Sequence, residues 1–166
     1  MSKFKISRKP VGLLDVISQL LENGEYFGPL PEGVISVDLV TPEAVKVMFA
    51  DRVDYNLFCE IAIEEGYKID AAGYTPRVVD EGNIIARVGS KSDPGLDCNI
   101  FIYIFPPLIG AMSIYMRSAA IRFGILNPEN NKLDMEKLLA YDLKVIRLVE
   151  KYRKRRYKDM VRELET

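Results

Sequence analysis

Two aspartates and an asparagine have the types and spacing that suit metal-assisted chemistry. Asp38 lies inside an apolar, β-branched run at 34–40, where alternation sets Ser36 and Asp38 on one face and Ile35, Val37 and Leu39 on the other. Asp97 and Asn99 share a face at the start of a second such run. If the two runs are neighbouring strands, two carboxylates and an amide would meet at one end of a sheet. Such a group would hold a hard divalent cation such as Mg²⁺ or Mn²⁺, or polarise a phosphate through it. The plainer reading is that both aspartates cap strand ends and face solvent, as strand-terminal Asp often does.

Other chemistry is excluded by composition. The chain has no histidine, which removes Ser-His-Asp and Cys-His catalysis and every histidine-based metal site. A general base would have to be a carboxylate, a lysine or a tyrosine. Gly89, Ser90, Lys91 and Ser92 match a phosphate loop in composition only, because the spacing GxxxxGK[ST] before a helix is missing. The two cysteines, Cys59 and Cys98, make no disulfide framework.

A third candidate is electrostatic. Residues 144–166 carry nine basic and four acidic side chains, while the whole chain has a net charge of −1. Arg153, Lys154, Arg155, Arg156 and Lys158 are interleaved with Tyr152 and Tyr157. A run like this tracks a nucleic-acid backbone, with tyrosine stacking on bases, or else forms a solvated helix face.

These residues need elements to position them. The 166 residues suffice for one domain with a sizeable core. The most apolar stretch, 98–116, reads as a central strand over 99–105, stopped by Pro106 and Pro107, with a helix over 108–123. Its length approaches a membrane span, but paired prolines at its midpoint and Asn99 argue against one. Residues 11–22 carry a helical apolar stripe that ends at Asn23 and Gly24. Thr41, Pro42 and Glu43 form a helix-start signal, predicting a helix over 42–65. Residues 67–71 read as a short strand, and 77–80 with 83–89 as a hairpin around Glu81 and Gly82. Residues 124–126 read as a short edge strand. Asp134 caps a long terminal helix over 135–164, which a break near 154–157 would divide into two. The order predicts a single α+β domain, an α/β sandwich with a small mixed sheet covered by helices.

With that order set out, the chain resembles the nucleotidyltransferase-fold superfamily, in particular the small proteins of toxin–antitoxin and abortive-infection systems. The likeness rests on the 34–40 strand with a helix after it, the 99–103 strand, and the terminal region with Leu138, Leu139, Ala140 and Tyr141 followed by Arg156, Tyr157, Lys158 and Asp159. It implies a nucleotidyltransferase-like fold, Asp38 and Asp97 as catalytic carboxylates, and Mg²⁺ on Asp38, Asp97 and Asn99. It also implies Arg156 and Lys158 as phosphate ligands. Ser36 stands where the superfamily has the first aspartate of its DxD pair, Asn99 at the third-carboxylate position, and Asp142 where a lysine is expected. The pattern therefore fits a weakened catalyst or a member that only binds nucleotide or nucleic acid. A shorter likeness, to the thumb of family-X DNA polymerases, covers residues 37–39, 66–70 and 73–74 with Asn56 and implies DNA contact.

Outside that resemblance, the basic terminal helix supports two other expectations. A non-enzymatic nucleic-acid-binding or regulatory protein would act through it, and a protein-interaction module would dimerise or dock through it. No apolar leader stands within residues 1–10, so a cytoplasmic chain with no membrane segment is expected. The shortage of glutamine beside frequent Ile, Lys, Arg and Glu resembles thermophile composition.

Overall fold

The computed structural model describes residues 11–71, 75–89 and 96–165. Six strands form one sheet: β1 (Val34–Thr41), β2 (Ala44–Phe49), β3 (Lys68–Asp70), β4 (Arg77–Asp80), β5 (Asn83–Val88) and β6 (Asn99–Tyr103). Their spatial order is β1-β2-β6-β5-β4-β3, and every neighbouring pair is antiparallel. The mixed sheet expected from the sequence is thus corrected to an antiparallel one, within an α+β fold. A separate two-stranded ribbon joins β7 (Leu126–Asn127) to β8 (Lys132–Leu133).

Helices α1 (Leu13–Asn23), α2 (Tyr55–Glu64) and α4 (Met135–Glu165) pack on one face of the sheet. Val45, Val47 and Phe49 of β2, and Ile100 and Ile102 of β6, point into that layer and are essentially inaccessible. Tyr152 of α4 sits at its centre, edge-on to Phe49 and Phe58, and its hydroxyl accepts a bond from Asp54 N at 2.9 Å. A smaller core gathers Phe105, Met116, Ala120, Ile125 and Leu138 around α3 (Ile114–Arg122).

The predicted helix over 42–65 is corrected. Thr41 Oγ1 accepts from Glu43 N at 3.1 Å, closing a turn instead of starting a helix. Residues 44–49 then alternate Val45, Val47 and Phe49 against Lys46 and Met48, and this period of two wins. The helix cap is Asp54, whose side chain accepts from Leu57 N at 3.1 Å. The predicted helix over 108–123 shortens in the same way. A single 3-10 turn covers Ile109–Ala111, and α3 begins only after Ser113, which caps Met116 N at 3.1 Å. The hairpin around Glu81 and Gly82 forms as expected, both residues having positive φ (48° and 84°). The terminal helix runs unbroken through 154–157.

Among the described residues, no helix covers the other sheet face across most of its width. Phe101 and Tyr103 of β6, Arg87 of β5, and Lys46 and Met48 of β2 alternate onto it. A bulge at Ile85 brings Ile84 to the same side as Arg87. α3 and the β1–β2 turn wall off one end. No helix among the described residues is long and apolar enough to cross a membrane.

Candidate ligand-binding face

The structure does not bring the predicted metal ligands together. Asp38 is exposed on edge strand β1, opposite Lys46, which is itself opposite Phe101. Asp97 stands in a 3-10 turn four residues before Phe101, with Arg52 Nε 2.8 Å from its carboxylate. Two strand spacings across and four residues along separate the two aspartates, roughly 15 Å between backbones. Asn99 opens β6 opposite Met48; it is fully buried, and neither polar atom of its side chain has a partner among the described residues. No group of three His, Cys, Asp or Glu side chains among the described residues could hold a metal ion. Cys59 and Cys98 are free thiols, both raised above the usual thiol range by burial, Cys98 also by the Asp97 carboxylate beside it.

The basic helix finds counter-charges both within itself and in other elements. Arg153 is buried, pairs with Glu150 through Nε, and donates from a terminal nitrogen to Glu32 O at 3.1 Å. Arg155 meets Glu64 at 3.2 Å, and Lys151 pairs with Glu65, both partners at the end of α2. Arg156 lies over the Tyr157 ring, and its buried Nε has no partner among the described residues. Lys154 is exposed. The Lys158 side chain and residues 1–10, 72–74 and 90–95 lie outside what is described, and with them Gly73, Tyr74 and most of the Gly89–Ser92 loop. Arg153, Arg155 and Lys151 therefore fasten α4 to the domain.

A different constellation emerges on the open sheet face. Arg87 lies flat over Phe101, its guanidinium carbon 4.2 Å from the ring centre. Its Nε donates to Tyr103 Oη at 2.8 Å. Cation–π stacking and a side-chain bond together hold the guanidinium in one orientation. Its two terminal nitrogens have no partner among the described residues. Arg77 stands directly opposite Arg87 on β4 and has no ion-pair partner among those residues either. Both arginines line a cleft of about 470 Å³, with Ile84, Phe101, Tyr103 and Tyr115 among its other walls.

One carboxylate, Glu43, lines this cleft, and it is already engaged. Its Oε2 accepts from Ser113 N at 2.9 Å and Ser113 Oγ at 3.1 Å, tying the β1–β2 turn to the start of α3. The cleft is thus apolar and aromatic with two guanidiniums that no described carboxylate meets at ion-pair distance, Asp70 standing opposite Arg77 on β3, and its volume falls in the range of small-ligand sites. It can take an anion through a forked contact and a flat ring by stacking.

None of these residues was singled out by motif. The hairpin turn does place Arg77 near Arg87, but an ideal two-residue hairpin would pair Arg77 with Ala86. The Ile85 bulge moves the register by one and makes the arginines partners. The alternation of Phe101 and Tyr103 within β6 was the available signal. Comparison with known proteins finds no matching family model, no matching curated protein and no matching solved structure.

Proposed function

We propose that this protein binds nucleotides or nucleic acid through the open face of its sheet. The observation that carries the reading is Arg87, immobilised on Phe101 and Tyr103, its terminal nitrogens unpartnered among the described residues and a second such arginine beside it. A guanidinium in that state offers a fork to phosphate oxygens and a plane on which a base stacks. The surrounding apolar cleft suits a base more than a simple inorganic anion.

The nucleotidyltransferase likeness points to the same ligand class, and its binding half is the half that the geometry favours. Positive charge for phosphate comes here from side chains, while Asp38 and Asp97 stand too far apart to share one ion. The test is calorimetry with nucleoside mono- and triphosphates on the native protein, Arg87→Ala and Arg77→Ala. Binding to the native protein that falls at least about tenfold in Arg87→Ala supports the reading, a loss of about 1.4 kcal/mol or more. No binding by the native protein, or undiminished binding by both variants, rejects it.

A further inference from the structure

Resting on that reading, we infer that the ligand is a single strand of nucleic acid crossing the sheet, rather than a free nucleotide confined to the cleft. The register sets six side chains in one row at right angles to the strands: Asp70, Arg77, Arg87, Phe101, Lys46 and Asp38. Arg77 faces Arg87, Arg87 faces Phe101, Phe101 faces Lys46, and Lys46 faces Asp38. From Arg77 to Lys46 the row spans three strand spacings, about 14 Å. Three cations lie on it, and none has an ion-pair partner among the described residues.

One nucleotide uses only part of that row. Its phosphate would sit on the arginine fork, and its base on the outer plane of Arg87, because Phe101 is covered by Arg87 on the side they share. Lys46 lies a strand beyond Phe101 and outside the cleft walls, where a second phosphate is what can meet it. A row of cations with an aromatic plane between them is the arrangement that follows a strand's backbone and bases together. Asp38 beyond Lys46 and Asp70 beyond Arg77 close the row with negative charge at its two ends, and Asp38 repels a phosphate that runs past Lys46. The same carboxylate that looked like a metal ligand in the sequence thereby limits the track.

The experiment is fluorescence anisotropy with labelled oligo-dT and oligo-rU of about eight residues, in competition with dTMP and UMP. The inference expects at least one oligonucleotide to bind about tenfold or more tighter than its monophosphate, with log affinity falling against log salt at a slope of roughly −2 for three phosphate contacts. Lys46→Ala should weaken the oligonucleotide severalfold and leave the monophosphate unchanged. Asp38→Asn should strengthen the oligonucleotide alone. A preference between oligo-dT and oligo-rU would sort DNA from RNA, and tight binding of either supports the inference. Monophosphates binding as tightly as oligonucleotides, or Lys46→Ala and Asp38→Asn leaving oligonucleotide affinity unchanged, would overturn the strand while leaving the nucleotide site standing. Binding of neither ligand would remove both.

Discussion

An arginine on an open strand samples many rotamers, and ordering it costs up to about 2 kcal/mol. Stacking on Phe101 and the bond to Tyr103 meet part of that cost in Arg87 before any ligand arrives. Tyr103→Phe removes the bond and leaves every charge in place, so nucleotide affinity should drop by ~0.5–1.5 kcal/mol. Arg87→Lys keeps the charge but loses both fork and plane, and should bind more weakly than Tyr103→Phe in the same titration. Asp142 shows the opposite kind of residue. It is 6 % exposed, and burial pushes its carboxyl up to about 7, although the bond it accepts from Phe105 N at 2.9 Å pulls the other way. The folded state then holds a proton that the unfolded state has released, so stability falls as pH rises from about 4 to about 7 and is level beyond. Asp142→Asn keeps an acceptor for Phe105 and removes the titration. Its melting temperature should exceed that of the native protein at pH 8, by the equivalent of ~1–3 kcal/mol, and should vary less between pH 4 and 8. Parallel melting curves for the two would show that Asp142 does not titrate in that window.

Elements are held in place here by side chains from distant parts of the chain. The first turn of α1 is capped from α4, where Glu150 Oε2 accepts from Leu13 N at 2.8 Å. α3 is capped locally by Ser113 and from the β1–β2 turn by Glu43, whose negative charge suits a helix start. Glu43→Ala should cost ~1–2 kcal/mol in thermal or denaturant unfolding, and Glu43→Gln less, since it still accepts a bond. Gly33 precedes β1 with φ +86°, and a Cβ there would run into the Tyr157 ring, which stacks on Phe49. Gly33→Ala therefore combines backbone strain with displacement of a packed ring, and should lower stability by ~2–3 kcal/mol in urea unfolding. Edge strand β1 is blunted by its own irregularities. Ile35 and Val40 are the extra residues at its two register shifts, 54 % and 52 % exposed, leaving a short regular stretch between them.

At the scale of the whole molecule, charge is partitioned by use. The basic terminal helix meets acidic residues at the end of α2 and on β4: Lys151 with Glu65, Arg155 with Glu64, and Lys144 with Asp80 at 3.1 Å. Exposed pairs of this kind contribute under about 1 kcal/mol each, so their effect is to orient α4. The sheet face keeps cations with no carboxylate at ion-pair distance among the described residues, which leaves them available to a ligand. Since those cations are guanidiniums and an ammonium, nucleotide affinity should be the same with Mg²⁺ and with a chelator. A chelator that abolishes binding would return the site to a metal held in some other way.

The α+β class, the hairpin at Glu81 and Gly82, the terminal helix and the burial of Ile100 and Ile102 were legible from period and turn chemistry alone. Those features are local: a glycine that accepts positive φ, or an apolar stripe at helical spacing, carries its structure within a few residues. The helix over 42–65 misled because Thr41, Pro42 and Glu43 serve a cap and a turn equally well. Only pairing of β2 with both β1 and β6 decides between them. The counter-charges of Arg155 and Lys151 lie on another element, beyond the reach of any i−4 pattern, while Arg153 pairs with Glu150 on its own helix. The sequence by itself determined which residues are aromatic, cationic and strand-forming. The tertiary structure decided which of them stand in one row, because strand order and a single bulge set the neighbours of Arg87, and neither is written in the spacing of the residues concerned.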